Sequence, residues 1–147
     1  MPVLEIADAL LEYDPVATRR AYAQRPAGSP EECGCADCRN FAATRDVAYP
    51  APVRAILEQL GVDPTREAEI WRYNREADGW HRYGGFFHIV GRVLRSGPPD
   101  EHPVTPDFGW LLQTGADLVP EPFLGHDLVQ LQFITRVPWV LAEPDEP

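Results

Sequence analysis

Cys33-Gly34-Cys35-Ala36-Asp37-Cys38 holds every cysteine of the 147-residue chain, and its spacing demands a chemical reading. Cys35 and Cys38, three apart, share a face if they sit in the first turn of a helix, and Cys33 can curl towards them across flexible Gly34. Three thiolates can then meet at one point. A zinc ion takes four Cys or His ligands at about 2.0 to 2.3 Å, so one ligand is missing locally. His81 or His88 can supply it, and the metal set read here is Cys33, Cys35, Cys38 and His88, with zinc as the ion. An acidic side chain, water or a second chain are the other sources of that ligand. Glu31, Glu32 and Asp37 add negative charge around the thiols, which Arg39 and Arg45 partly offset.

Two other readings of the same residues stay open. Cys35 and Cys38 form a Cys-x-x-Cys pair whose thiol acidity a helix N-terminus would raise, with Cys33 as a third, resolving thiol. Thioredoxin-like motifs follow a strand, however, whereas this neighbourhood reads as helix after helix. Alternatively, the thiols simply pack where helices meet.

The elements that must position these residues follow from the pattern. Asp14 and Pro15 read as an N-cap and first helical position, with helix formers through Gln24. Ser29 and Glu32 stand at capping-box spacing. Ala36 to Ala48 reads as one helix, stopped before Pro50, and Val53, Ile56, Leu57 and Leu60 mark one face of another that Gly61 ends. The period then switches to two. Ile70 to Arg75 and Trp80 to Val93 read as a hairpin around Asp78-Gly79, with a bulge at Gly84-Gly85. Tyr83, Phe87, Ile89 and Val93 should face the core, and Arg82, His88 and Arg92 the other side. Phe108 to Thr114 and Leu128 to Val137 complete the strands. Ser96 to Asp107 and Gly115 to Asp127 read as long loops. The expected fold is α+β, with N-terminal short helices packed on a C-terminal antiparallel sheet of about four strands. It forms one domain over 1–147, with 1–13 and 142–147 as loose ends.

The residues Cys33-Gly34-Cys35-Ala36-Asp37-Cys38-Arg39-Asn40-Phe41, Leu60-Gly61-Val62-Asp63-Pro64, Gly84-Gly85-Phe86-Phe87-His88 and Pro138-Trp139-Val140-Leu141 resemble a family of small bacterial proteins of uncharacterised function. The resemblance runs from Asp14 to Leu141 and rests on the cysteine stretch and the closing Pro-Trp-Val-Leu. It implies a stand-alone domain and brings no activity with it.

Composition narrows the functional classes. The chain has 23 acidic residues, 13 arginines and no lysine, for a formal charge of −10. Nucleic acid is a poor partner for that balance, and Schiff-base or lysine-base chemistry is excluded. Arg72, Arg82, Arg92 and Arg136 fall on polar strand positions, where they could form a cationic stripe or pair with carboxylates across strands. No stretch is apolar enough to span a bilayer, and Glu5, Asp8 and Glu12 stand where a signal peptide would be basic and then apolar, so a cytoplasmic protein is expected. The reading is a non-catalytic binding or accessory protein with a zinc-type site. A thiol-disulfide enzyme and an acidic immunity protein against a basic toxin are the alternatives.

Overall fold

The structure, a computed structural model, describes residues 1–145; Glu146 and Pro147, in the tail expected to fray, lie outside the described residues. The chain runs through β1 (Val3–Ile6), β2 (Ala9–Tyr13), α1 (Pro15–Ala23), α2 (Ser29–Cys33), α3 (Ala36–Ala43), α4 (Arg45–Ala48) and α5 (Ala51–Leu60). It continues through β3 (Glu69–Arg75), β4 (His81–Arg95), β5 (His102–Thr105), β6 (Phe108–Gln113), a 3-10 turn at Glu121–Phe123 and β7 (Leu128–Val137). The α+β class is as expected, but the antiparallel sheet has seven strands, ordered β1-β2-β4-β7-β6-β5 with β3 also on β4. The four expected strands are β3, β4, β6 and β7.

The first unexpected pair occupies the segment read as a loose end. Val3 to Ile6 and Ala9 to Tyr13 form a hairpin that buries Ile6, Leu11 and Tyr13 in the core. Its two-residue turn, Ala7-Asp8, has both residues at positive φ, 51° and 60°, so the turn has hairpin geometry without the Asn or Gly that signals one. The third extra strand, β5, carries Pro103 and lies at the sheet edge, where a missing N–H is tolerated.

Helix starts were partly legible. Asp14 Oδ1 accepts from Ala17 N at 3.0 Å, as an N-cap should. Ser29 makes no capping bond: Gly28 is the N-cap of α2, the Ser29 hydroxyl turns to Glu69, and Glu32 turns to Arg25. The single helix expected over Ala36 to Ala48 breaks at Thr44, whose hydroxyl donates to the carbonyls of Asn40 and Phe41 and so competes with helix continuation. No bulge forms at Gly84-Gly85: β4 pairs with β7 in unbroken register, and the irregularity is in β3 between Arg72 and Asn74. The glycines make room instead, since a Cβ on Gly84 would lie 2.8 Å from the Trp71 ring.

Along one edge, β4 pairs first with β3 and later with β2, leaving His88 and Val90 without a strand neighbour. Helix α1 closes that gap with side chains. Tyr22 Oη donates to His88 O (2.8 Å) and accepts from His88 N (3.1 Å), while Thr18 Oγ1 accepts from Val90 N (3.1 Å). Every buried main-chain group there is satisfied, which fixes α1 against the sheet. Phe41 and Tyr49 then pack on Tyr83, Phe87 and Phe133 at ring separations of 5.2 to 6.3 Å, forming the centre of the core.

After β7 the chain returns over α3. Asn40 Nδ2 donates to Pro138 O (3.1 Å) and Asn40 Oδ1 accepts from Val140 N (2.8 Å), so the cysteine-following Asn and the Pro-Trp-Val-Leu segment are joined by one amide. Arg39 holds Glu143, and His81 and Arg75 hold Asp145, extending the strap to the end of the described chain.

Candidate functional site

Cys33 ends α2, Gly34 turns the chain with φ of 69°, and Cys35 is the N-cap of α3. No atom lies within 4 Å of a Cβ built on Gly34, so the demand there is for left-handed backbone rather than for space. Cys35 Sγ accepts from Cys38 N at 3.4 Å, and Arg39 Nε donates to Gly34 O at 3.0 Å, pinning the turn. The result is that the three sulfurs lie within 4.8 Å of one another, Cys33 and Cys35 exposed and Cys38 buried. The curl expected of this spacing is present.

The thiols differ in acidity. The Cys35 backbone N–H, followed by the Cys35 and Cys38 thiols, stabilises the Cys33 thiolate and lowers its pKa. Burial pushes the Cys38 thiol up, and the Cys35 and Cys33 sulfurs push it further. The three carboxylates near the thiols in sequence are each paired with an arginine. Glu31 binds Arg45 at 2.6 Å, Glu32 binds Arg25 at 3.3 Å and Asp37 binds Arg72 at 3.5 Å. Arg45 therefore faces carboxylates, and the thiols keep their chemistry to themselves.

Neither histidine joins the thiol group. His88 is fully buried between Phe86 and Phe123, with ring separations of 5.5 and 5.9 Å, and neither ring nitrogen has a hydrogen-bond partner among the described residues. Its strand face, expected to be polar, is covered by Phe123 from the 3-10 turn in the second long loop. Burial lowers its pKa. His81 is also buried: Arg72 Nη1 lies 3.3 Å from its Nδ1, so Nε2 carries the proton and donates to Asp145 Oδ2 at 2.8 Å. Trp139 lies 5.1 Å from the His81 ring.

The possible cationic stripe resolves into pairs. Arg72 meets Asp37, Arg82 meets Glu76, Arg92 meets Glu12, and Arg136 meets Glu76, Asp78 and Asp107. A second polar centre had no sequence signal. Glu67, fully buried, accepts from Arg45 Nε (3.1 Å), Arg45 Nη2 (2.8 Å) and Tyr49 Oη (2.7 Å). Arg25 and Ser29 N donate to its main-chain carbonyl. A lone glutamate in a turn between a helix and a strand follows no period that reveals such burial.

No helix of the described residues is long and apolar enough to cross a membrane. No protein-family model matches the chain, and neither a curated protein nor a solved structure matches it.

Proposed function

We propose that this is a non-catalytic metal-binding protein in which Cys33, Cys35 and Cys38 hold one thiophilic ion, zinc being the first choice. The convergence of three sulfurs within 4.8 Å carries the reading. Zinc–sulfur bonds of about 2.3 Å in tetrahedral geometry want sulfurs about 3.8 Å apart, a spacing that small side-chain rotations reach. The two exposed thiols leave the fourth position open to water or to an incoming ligand. The N–H groups of Cys35 and Cys38 stabilise the sulfur charge that the ion requires. Protein purified without added metal should contain one zinc per chain, with three thiols that react only after chelation. Absence of zinc together with three freely titrating thiols overturns the reading.

One observation favours a second reading, thiol–disulfide exchange: Cys33 is exposed and its thiol is acidified. Its thiolate would attack a substrate disulfide, forming a mixed disulfide and releasing one substrate thiolate. A second cysteine thiolate would then displace the other, leaving the protein oxidised and the substrate reduced by two electrons. Disulfide-reductase activity retained in Cys33→Ser would dismiss it.

A further inference from the structure

Ten of the thirteen arginines have a carboxylate within 4.0 Å. Among the described residues the three without one are Arg19, Arg20 and Arg54, and all three are exposed. With 23 acidic residues available, an arginine without a carboxylate is the exception. Two of the three, Arg19 and Arg54, line the same cleft, a volume of about 600 Å³ between α1, α5 and the turn at 61–66.

The guanidinium of Arg54 is fixed in the cleft. Arg54 Nε donates to Tyr49 O (2.7 Å) and its Nη2 to Arg45 O (3.1 Å), so main-chain carbonyls fix the guanidinium without cancelling its charge. Arg66, which also lines the cleft, donates to Tyr22 O at 2.7 Å. The hydroxyls of Tyr22 and Tyr49 are spent on His88 and Glu67 and both rings are buried, so the apolar surface the cleft offers comes from Ala23 and Pro64. Three carboxylates share the lining: Asp63 is held by Thr65 and Arg66, while Asp46 and Glu58 remain exposed. They keep the local charge small, and the overall charge of −10 repels a polyanion at longer range. What remains favourable is a compact ligand with one anionic group.

We infer that this cleft binds a small organic anion, a flat apolar body bearing a single carboxylate, sulfonate or phosphate. The volume falls in the range of small-molecule sites, and the planar guanidinium fork suits such groups. Arg19 and Arg54 hold the anion while the apolar body lies against Ala23 and Pro64.

Fluorescence titration with 8-anilinonaphthalene-1-sulfonate tests this, with uncharged N-phenyl-1-naphthylamine as the matched probe. Arg20→Glu controls for charge, because Arg20 lies beside Arg19 on α1 but does not line the cleft. The expected result is saturable one-site binding of the sulfonate, weakened about tenfold by Arg19→Glu and little changed by Arg20→Glu. Binding of the neutral probe should not respond to Arg19→Glu. Equal loss in the two variants, equal affinity for the two probes, or no saturable binding overturns the inference. Cys33→Ser, which is not part of the cleft lining, should leave the sulfonate titration unchanged, which keeps this test independent of the metal site.

Discussion

Glu67 and the cysteine triad both depend on the α2–α4 segment, yet their polar atoms are treated in opposite ways. Around Glu67 three donors meet one fully buried carboxylate, and its carbonyl is filled as well. Around the cysteines, three acceptors converge with two of them open to solvent and no carboxylate or histidine among them. A polar cluster that is completely satisfied internally holds the fold together, whereas converging thiols with solvent access are free to react with a ligand. The arginines repeat the lesson, ten being paired and two of the remaining three lining one cleft.

Removing one side of the closed centre should have the largest effect on stability. Glu67→Ala leaves the Tyr49 hydroxyl and part of the Arg45 guanidinium buried without a partner, and should cost about 3 kcal/mol in urea unfolding. A loss below about 1 kcal/mol would mean that the network is not structural. Next comes Asn40→Ala, which removes both amide bonds to the C-terminal strap. It should cost about 1 to 2 kcal/mol and speed hydrogen exchange at the Val140 amide.

His88 adds a pH-dependent effect that is absent at neutral pH. Its folded pKa lies below the usual 6.5, so the unfolded chain binds the extra proton first. The stability it supports is present above about pH 6.5 and is lost as pH falls through the folded pKa. His88→Leu should flatten the urea midpoint between pH 7.5 and 5; an unchanged slope would show that other groups dominate. The smallest stability effect belongs to the open site. Cys33→Ser should shift unfolding of the metal-free protein by less than about 0.5 kcal/mol while weakening zinc by about 100-fold in a chelator competition.

How much of this was readable in the residues depended on how local each cause was. The thiol convergence is set by a six-residue span and one glycine, so its spacing announced it. Asp14 as an N-cap and Gly61 as the end of α5 are equally local. His88 was misplaced because its burial comes from Phe123, 35 positions later, and Glu67 drew no reading at all because its partners come from α4 and the tyrosine that follows it. The first hairpin was missed because Ala7 and Asp8 adopt a turn their residue types do not advertise. The Asn40 link ties the residue after the cysteine stretch and Arg39 to Pro138 and Val140 of the closing segment, a long-range contact that no local pattern signals.

The proposed metal site requires that three sulfurs act as one ligand set. Titrating the reduced protein with Co²⁺ measures this directly through the thiolate-to-metal charge-transfer absorption. One equivalent should saturate the signal, and each of Cys33→Ser, Cys35→Ser and Cys38→Ser should diminish it. No charge-transfer band, or a band indifferent to all three substitutions, would contradict the account.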